Sequence, residues 1–443
     1  MSPVASIWKR ASMVLAVLLL AWLLFAWLFD YPPVDDSDLA FVEREVDPSR
    51  NPHPEILELE WTEEEKEEFR RVAEMLYGRE PIDIAFLEGM LQKHAPVLER
   101  FARYAAMDDW RMDEEADGRE PSTYYMVHGE LAHLTPLIRV EAASLAARSE
   151  PWAALERAVS MLDFAAAHTR VREADVIIAR YLTVDGGKCL LGLLEHHHLD
   201  RETLDWLADR LESPSLSRDD LEPVLRSIYQ RSKTGLAKFE EASKTRRYGN
   251  LGYETPEWLP HSLVFKRHRT HAMLADIYRA AIQASGGSAK EVGDAVYAAV
   301  PRDTRARWGH RLSGNSLGFE FAANWQRILA NIVVKLHRAN QADLRLLRVR
   351  VALERHRLDH GVWPDDLGEL VPAYLDSLPL DPFDGRPLRY DRAKRVIYSI
   401  GPDLGDNRGI PLKDLFGSSS ETGDIVIELE PEKPTPWPQF PSP

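Results

Sequence analysis

Apolar residues recur every three or four positions through most of the middle of this 443-residue chain. On an α-helix this spacing places apolar side chains on one face, where they can pack against neighbouring helices. The clearest stretches are LIRVEAASLAARSE, PWAALERAVSMLDFAAAH and RETLDWLADRLES. The pattern predicts a mainly α protein in which residues 55–340 form an irregular array of helix hairpins.

Helix-start signals accompany the periodic stretches. Thr62 is followed three residues later by Glu65, which is the spacing of a capping box. Asp200 stands directly before RETLDWLADRL, where a carboxylate can accept from the first free backbone N–H groups. We therefore predict that helices begin after Thr62 and after Asp200.

The N-terminal region contains an uncharged apolar run over residues 11–29, ASMVLAVLLLAWLLFAWLF. As a helix this run would rise about 28 Å, close to the thickness of a bilayer's hydrocarbon core. Lys9 and Arg10 precede the run and Asp30 follows it, so the rest of the chain is predicted to lie outside the cytoplasm. We predict a signal anchor, with a cytoplasmic stub and transmembrane helix over residues 1–30. A cleaved signal peptide is the alternative, although the run is long for one and no small-x-small site follows.

That topology predicts a single-pass protein of the inner membrane, held through residues 11–29, with a periplasmic body. Residues 31–54 are acidic, contain proline and lack periodicity, which predicts an extended tether between the membrane and the helical array.

The charge of the chain bears on its partners. The formal net charge is −16, and the acidic excess is concentrated between residues 30 and 120. Phosphates would be repelled there, so no nucleic-acid partner is predicted. Cys189 is the only cysteine, which excludes an intramolecular disulfide. It lies in the apolar run GKCLLGLL and is predicted to be a buried, inert thiol.

One short motif suggests a catalytic serine. Residues 314–318, GNSLG, match the G-x-S-x-G pattern of α/β-hydrolases, in which a strand precedes the motif. Here ARWGHRLS precedes it and shows no strand pattern, so we predict instead a turn that leads into a helix. An envelope serine hydrolase using Ser316 remains an alternative to a protein without enzyme activity.

In the C-terminal region, signals for a helix end and for short strands replace the helical pattern. Gly361 suits a helix C-cap, and Pro364 cannot continue a helix. Alternating and β-branched residues then predict short strands over residues 395–400 and 425–429. Six prolines among the last thirteen residues predict a disordered tail over residues 431–443.

The order of these signals resembles that in a known family. LRVRVALERHRLDHGVWP, LPLDPFDGRPLRYD, SIGPDLGD and GDIVIEL follow one another as in the periplasmic domain of the major pseudopilin of type II secretion systems. The resemblance implies a small α+β module with a short antiparallel sheet, which we place at residues 341–430. The family's leader glycine and the glutamate of its membrane helix are missing from residues 1–30.

The same resemblance implies a metal ion in the loop before the last strand. In that family the loop binds calcium, and the matching positions are Asp403 and Asp424, with Asp406 nearby. Carboxylate oxygens on an irregular loop are ligands that calcium accepts. A metal-free polar loop is the alternative interpretation.

These patterns together predict a membrane-anchored, non-enzymatic binding or scaffold protein of the bacterial cell envelope, whose partners are envelope proteins. One alternative is a component of a type II secretion-like system that docks through the pseudopilin-like module. The other alternative is the serine hydrolase.

Overall fold

The computed structural model describes most of the chain, namely residues 12–21, 24–25, 29–41, 47–51, 53–56, 58–105, 107, 121–168, 173–213, 216, 220–244, 264–300, 314–412, 422–432 and 434–441. This part is mainly helical and contains a three-stranded antiparallel sheet, as predicted. The main helices are α1 Glu63–Leu76, α2 Ile84–Ala105, α3 Pro121–Ala147, α4 Pro151–His168, α5 Glu173–His196, α6 Arg201–Leu211, α7 Glu222–Lys244, α8 Arg267–Gln283, α9 Ala289–Ala299, α10 Ser316–Ile328 and α11 Val334–His360.

The predicted transmembrane helix over residues 11–29 is wrong. Within the described ranges, no helix is both long enough and apolar enough to cross a membrane. This finding overturns the signal anchor, the membrane contact through residues 11–29, and the single-pass inner-membrane localisation with a periplasmic body. The predicted stub, residues 1–10, lies outside the described residues.

Contacts divide the chain into two units. The larger unit comprises Glu43–Val224, Gly286–Lys290 and Val333–Pro443, and the smaller unit comprises Met1–Val42, Leu225–Ser285 and Glu291–Ile332. This division differs from the predicted domains, because residues 55–340 are shared between the units. Residues 341–430 belong with the helices of the larger unit.

The larger unit is built on α3, α4 and α5, which pack against one another. α1 and α2 lie against α3, and α11 packs against α5 and α6. The predicted helix starts are confirmed: Thr62 and Glu65 form a reciprocal capping box, and the Asp200 side chain accepts from the backbone N–H of Thr203.

The C-terminal elements of the larger unit follow the predicted order. α11 ends at a C-cap formed by Gly361, whose φ of 76° is in the left-handed region that glycine favours. The strands are β1 Arg389–Asp391, β2 Val396–Ser399 and β3 Ile425–Glu428, in the spatial order β1-β2-β3. β2 and β3 confirm the two predicted strands, and both pack against α11.

In the smaller unit, α8 packs against α10, and the N-terminal segment contacts helices α7 and α8. The described residues 31–41 fall in the predicted tether. They are mostly non-helical, with one 3₁₀ turn at Ser37–Leu39, and the Leu39 side chain is buried. The segment packs against helices α7 and α8 of the smaller unit, because Asp36 and Asp38 pair with basic side chains of these helices.

Candidate functional site

A pocket of about 520 Å³ lies within the larger unit. Helices α1, α3, α5 and α11, strand β3 and the C-terminal tail all contribute to its lining. The apolar part of the lining includes Leu191, Leu347, Leu412 and Val426. The charged part consists of the basic residues Arg139, Arg180 and Lys188 and the acidic residues Glu195, Asp343, Asp424 and Glu428. A pocket of this size suits a small organic molecule.

Helix α5 supplies one side of the pocket because its lining residues recur every three or four positions. Arg180, Val184, Lys188, Leu191 and Glu195 all line it. On a helix this spacing places them on one face. α5 thus presents two basic side chains and one acidic side chain to the pocket.

Asp185 is buried beside Arg139, and its carboxylate already has two hydrogen-bond donors. The Tyr77 hydroxyl donates to Asp185 Oδ1 at 3.3 Å, and the Thr135 hydroxyl donates to Oδ2. The nearest approach of Arg139 is from Nη1 to Asp185 Oδ1 at 3.8 Å, beyond hydrogen-bonding distance. Asp185 therefore balances the charge of Arg139 without satisfying its N–H groups.

The Arg139 guanidinium is the least satisfied polar group in the pocket. Its side chain is 1% exposed, and Nε, Nη1 and Nη2 have no hydrogen-bond partner among the described residues. A guanidinium carries five N–H donors, and burying such donors without acceptors is costly. Its neighbour Arg180 differs, since it forms an ion pair with Asp343.

Lys188 also lines the pocket and forms no ion pair with the described residues. Its Nζ lies 4.3 Å from the centre of the Tyr77 ring. Burial lowers the pKa of the Lys188 ammonium to about 8; Asp185 opposes this shift, and Arg139 adds to it. Lys188 therefore has a much larger neutral fraction near neutral pH than an exposed lysine.

The C-terminal tail contributes to the pocket wall. The Thr435 N–H donates to Glu195 at 2.9 Å, and the Thr435 carbonyl accepts from His196 Nε2 at 3.1 Å. Trp437 is 4% exposed and lies against Gly192 of α5. Described residues 434–441 of the predicted disordered tail therefore include a buried anchor.

The structure brings the predicted calcium ligands into one loop region, where backbone donors already contact them. Asp403 accepts from the N–H groups of Gly405 and Gly423 at 2.9 and 3.1 Å. Asp424 accepts from the N–H groups of Asn407 and Gly409 at 3.1 and 2.6 Å. A bound ion would have to share these oxygens with the backbone.

Burial raises the pKa of the Asp424 carboxyl; its backbone hydrogen bonds oppose that rise, and the charges of Asp406 and Asp403 add to it. Asp406 itself accepts from the Arg408 N–H at 2.9 Å. The oxygen donors suit calcium and their mutual repulsion would be relieved by a cation. In the described part of the chain, no three His, Cys, Asp or Glu side chains are arranged to hold a metal. The calcium site stays a prediction.

Ser316 lies at the first position of α10. Before it, Gly314 has a φ of 72°, and the buried Asn315 accepts from the Lys266 N–H at 2.7 Å and from the Thr270 hydroxyl at 3.2 Å. No hydrogen bond joins Ser316 to a histidine within the described ranges, and residues 301–313 lie outside them. The predicted helix after the motif is confirmed, and the hydrolase stays an untested alternative.

Sequence reasoning missed Arg139 and Lys188. Both residues could have been noticed in the sequence, because Arg139 is the one arginine in the largely apolar stretch LIRVEAASL and Lys188 is the one lysine in GGKCLLGLL. The adjacent Cys189 is fully buried and burial raises the pKa of its thiol to about 12, as expected for an inert thiol.

No family model matches this chain, and neither a curated protein nor a solved structure is significantly similar to it.

Proposed function

We propose that the protein is a binding protein whose larger unit holds a small organic anion in the pocket beside Arg139. The observation that carries this proposal is the Arg139 guanidinium, which lines the pocket and has no hydrogen-bond partner among the described residues. An anion that accepts from these N–H groups would replace the water they lose on folding.

A carboxylate fits this position best. The planar guanidinium donates in a fork that matches the two oxygens of a carboxylate. Arg180 and Lys188 belong to the same lining, but Arg180 is already paired with Asp343, and Glu195, Asp424 and Glu428 add negative charge there. The proposal therefore depends on Arg139 itself and not on a net positive lining.

The rest of the lining favours a ligand with an apolar body. Leu191, Leu347, Leu412 and Val426 offer hydrocarbon surface, which would exclude water from a bound alkyl or aryl group. We therefore infer an amphipathic monocarboxylate of modest size as the ligand class.

Isothermal titration of the full chain with phenylacetate and with phenylacetamide tests the proposal. The two compounds share their apolar body and differ in charge, so only phenylacetate should bind measurably. Arg139→Met should weaken phenylacetate binding by about tenfold or more, as expected for loss of a charge-assisted hydrogen bond.

Arg70→Met serves as the matched control, because Arg70 is exposed on α1 and does not line the pocket. It should bind phenylacetate as the unmodified chain does. Equal binding of the acid and the amide, or unchanged binding by Arg139→Met, would refute the proposal.

A further inference from the structure

Lys188 occupies an unusual position among the lysines of the larger unit. It lines the pocket, it lies over the Tyr77 ring, and it has no carboxylate partner within ion-pair distance in the described part of the chain. An amine in this setting can lose its proton and expose a nucleophilic lone pair, since burial and nearby cations both disfavour the ammonium form.

We propose that Lys188 captures the carbonyl carbon of an α-keto acid as a reversible imine while Arg139 holds the acid's carboxylate. This inference rests on the proposed anion-binding function and specifies the ligand. An α-keto acid carries a carboxylate directly beside an electrophilic carbonyl, so it can contact both side chains within one pocket.

The capture conserves atoms and charge. The neutral Lys188 nitrogen attacks the carbonyl carbon, and the electron pair of the C=O bond moves to oxygen, which takes up a proton. The nitrogen loses a proton, and the resulting carbinolamine then loses its hydroxyl group together with the remaining nitrogen proton as water. A C=N bond thereby replaces the C=O bond. Addition of water reverses the sequence and releases the ligand unchanged.

The charged groups around Lys188 help to determine what fraction of its amine is neutral and able to react. Burial lowers its pKa to about 8, with Arg139 and Arg180 acting in the same direction and Asp185 and Asp343 opposing them. At pH 8 about half of such an amine is neutral, against less than roughly one in a hundred for an ordinary lysine. A bound carboxylate would compensate Arg139 and change this balance, so the reaction should be followed across pH.

Lys335 provides a comparison within the same unit. Burial also lowers its pKa, with an opposing contribution from Asp403, but Lys335 does not line the pocket. A reaction that required only a neutral amine would modify both lysines. A reaction that also requires the Arg139 carboxylate site should modify Lys188 alone.

The experiment traps the imine on the full chain. The protein is incubated with phenylpyruvate and sodium cyanoborohydride, and the adduct is located by intact mass and peptide mapping. We expect one adduct, at Lys188, whose rate of formation rises between pH 6 and about pH 8 with the neutral amine. Lys188→Arg and Lys188→Met should both abolish it, Lys335→Arg should retain it, and Arg139→Met should slow it by about tenfold or more.

Phenyllactate separates this inference from the proposed function, because it has the carboxylate and the apolar body but no carbonyl. If phenyllactate binds and phenylpyruvate forms no adduct at Lys188, the imine is refuted and the anion-binding function stands. If neither compound binds and no adduct forms, both are refuted. Modification spread over surface lysines, or equal in Lys188→Arg, also overturns the imine.

Discussion

Two buried arginines of the larger unit differ in what surrounds them. Arg350 is 2% exposed; its Nη1 donates to Glu354 Oε1 at 2.5 Å and its Nη2 donates to the Leu429 carbonyl at 3.2 Å. Arg139 is equally buried, but its nitrogens have no hydrogen-bond partner among the described residues. A buried charge with acceptors stabilises its surroundings, and one without them opposes folding.

Arg139→Met should change the free energy of unfolding by no more than about 1–2 kcal/mol, because the gain from no longer burying an unsatisfied guanidinium is offset by the loss of the cation beside the buried Asp185 carboxylate. Asp185 keeps the hydroxyl donors of Tyr77 and Thr135 in this variant. Urea titration of the ligand-free chain measures the change. A loss of several kcal/mol would show that Arg139 stabilises the fold.

The matched substitution Arg350→Met should instead destabilise the chain clearly. It removes one of the two arginines that pair with the buried Glu354 carboxylate, leaving Arg357, and it removes the donor to the Leu429 carbonyl, so we expect a cost of about 2–3 kcal/mol. If both variants were equally destabilised, burial alone and not the surrounding acceptors would determine the effect of each arginine.

At the scale of elements, the N-terminal segment of the smaller unit is held on α7 and α8 by a polar cluster around Asp36. The Asp36 carboxylate accepts from Lys233 Nζ at 2.5 Å, from the Tyr229 hydroxyl at 2.6 Å and from His271 Nε2 at 3.2 Å. Burial alone raises the pKa of Asp36, but the contacts with Lys233, Tyr229 and His271 outweigh it and lower the value to about 2.

Because the pKa of Asp36 is lower in the folded chain, its contribution to stability is present above about pH 4 and is lost as pH falls towards 2. Asp36→Asn should therefore cost about 2 kcal/mol at pH 7, and the difference should vanish near pH 2. Urea titrations across this range measure it. Asp35→Asn, an exposed neighbour in the same segment, should have little effect; a pH-independent cost for Asp36→Asn would contradict the assignment.

Helix α5 and the tail meet at Gly192. A β-carbon added there would overlap the Trp437 ring, whereas one added at Gly187 would lie 3.6 Å from Leu347 Cδ1, an ordinary contact. Glycine at position 192 therefore serves tail packing, because alanine is the better helix former.

Gly187→Ala should leave stability unchanged or raise it by up to about 1 kcal/mol, through helix propensity alone. Gly192→Ala should instead destabilise the chain, because Trp437 has to leave its site. In a Trp437→Ala background the clash is removed, and Gly192→Ala should then be neutral or stabilising. A double-mutant cycle by urea denaturation measures this coupling; additive effects would rule out the proposed contact.

If the loop with Asp403, Asp406 and Asp424 binds calcium, the ion should stabilise the folded chain. A calcium ion at a hundred times its dissociation constant would add about 2.7 kcal/mol to the free energy of unfolding. For a chain of this size the melting temperature should rise by a few degrees. Magnesium should do less, since it requires a near-ideal octahedron of ligands.

The full chain should be melted with calcium, with magnesium and with chelator. Asp403→Asn should abolish the calcium response, while Asp391→Asn, at the end of β1, should retain it. A melting temperature that does not respond to calcium would leave these aspartates as partners of backbone N–H groups only.

At the scale of the whole molecule, α11 connects the sheet to the other helices of the larger unit. Its residues Arg355 and Arg348 pair with Asp205 and Glu212 at 2.7 and 2.8 Å, and Leu347 lies against α5. The sheet packs on the same helix. The C-terminal elements therefore share their core with α5 and α6.

Residues 341–430 expressed alone should consequently lack a cooperative melting transition, because α11 would expose apolar side chains that α5 and α6 cover in the full chain. Circular dichroism melts of this segment and of the full chain provide the comparison. A sharp transition in the isolated segment would show that it is an autonomous domain.

The sequence by itself determined the local features of this protein. The helical periods, the capping box at Thr62 and Glu65, the N-cap at Asp200, the C-cap at Gly361 and the strands β2 and β3 were all predicted. These features depend on side chains and backbone groups within a few positions of one another, so the sequence contains all the groups involved.

Only the tertiary structure decided which residues form the candidate site. Arg139, Lys188 and the tail come from α3, α5 and the last residues of the chain, and no local pattern links them. The lack of a hydrogen-bond partner for Arg139 can be recognised only when all of its neighbours in space are known. The run over residues 11–29 was predicted to span a membrane from its composition, but among the described residues no helix has both the length and the apolar character that spanning requires.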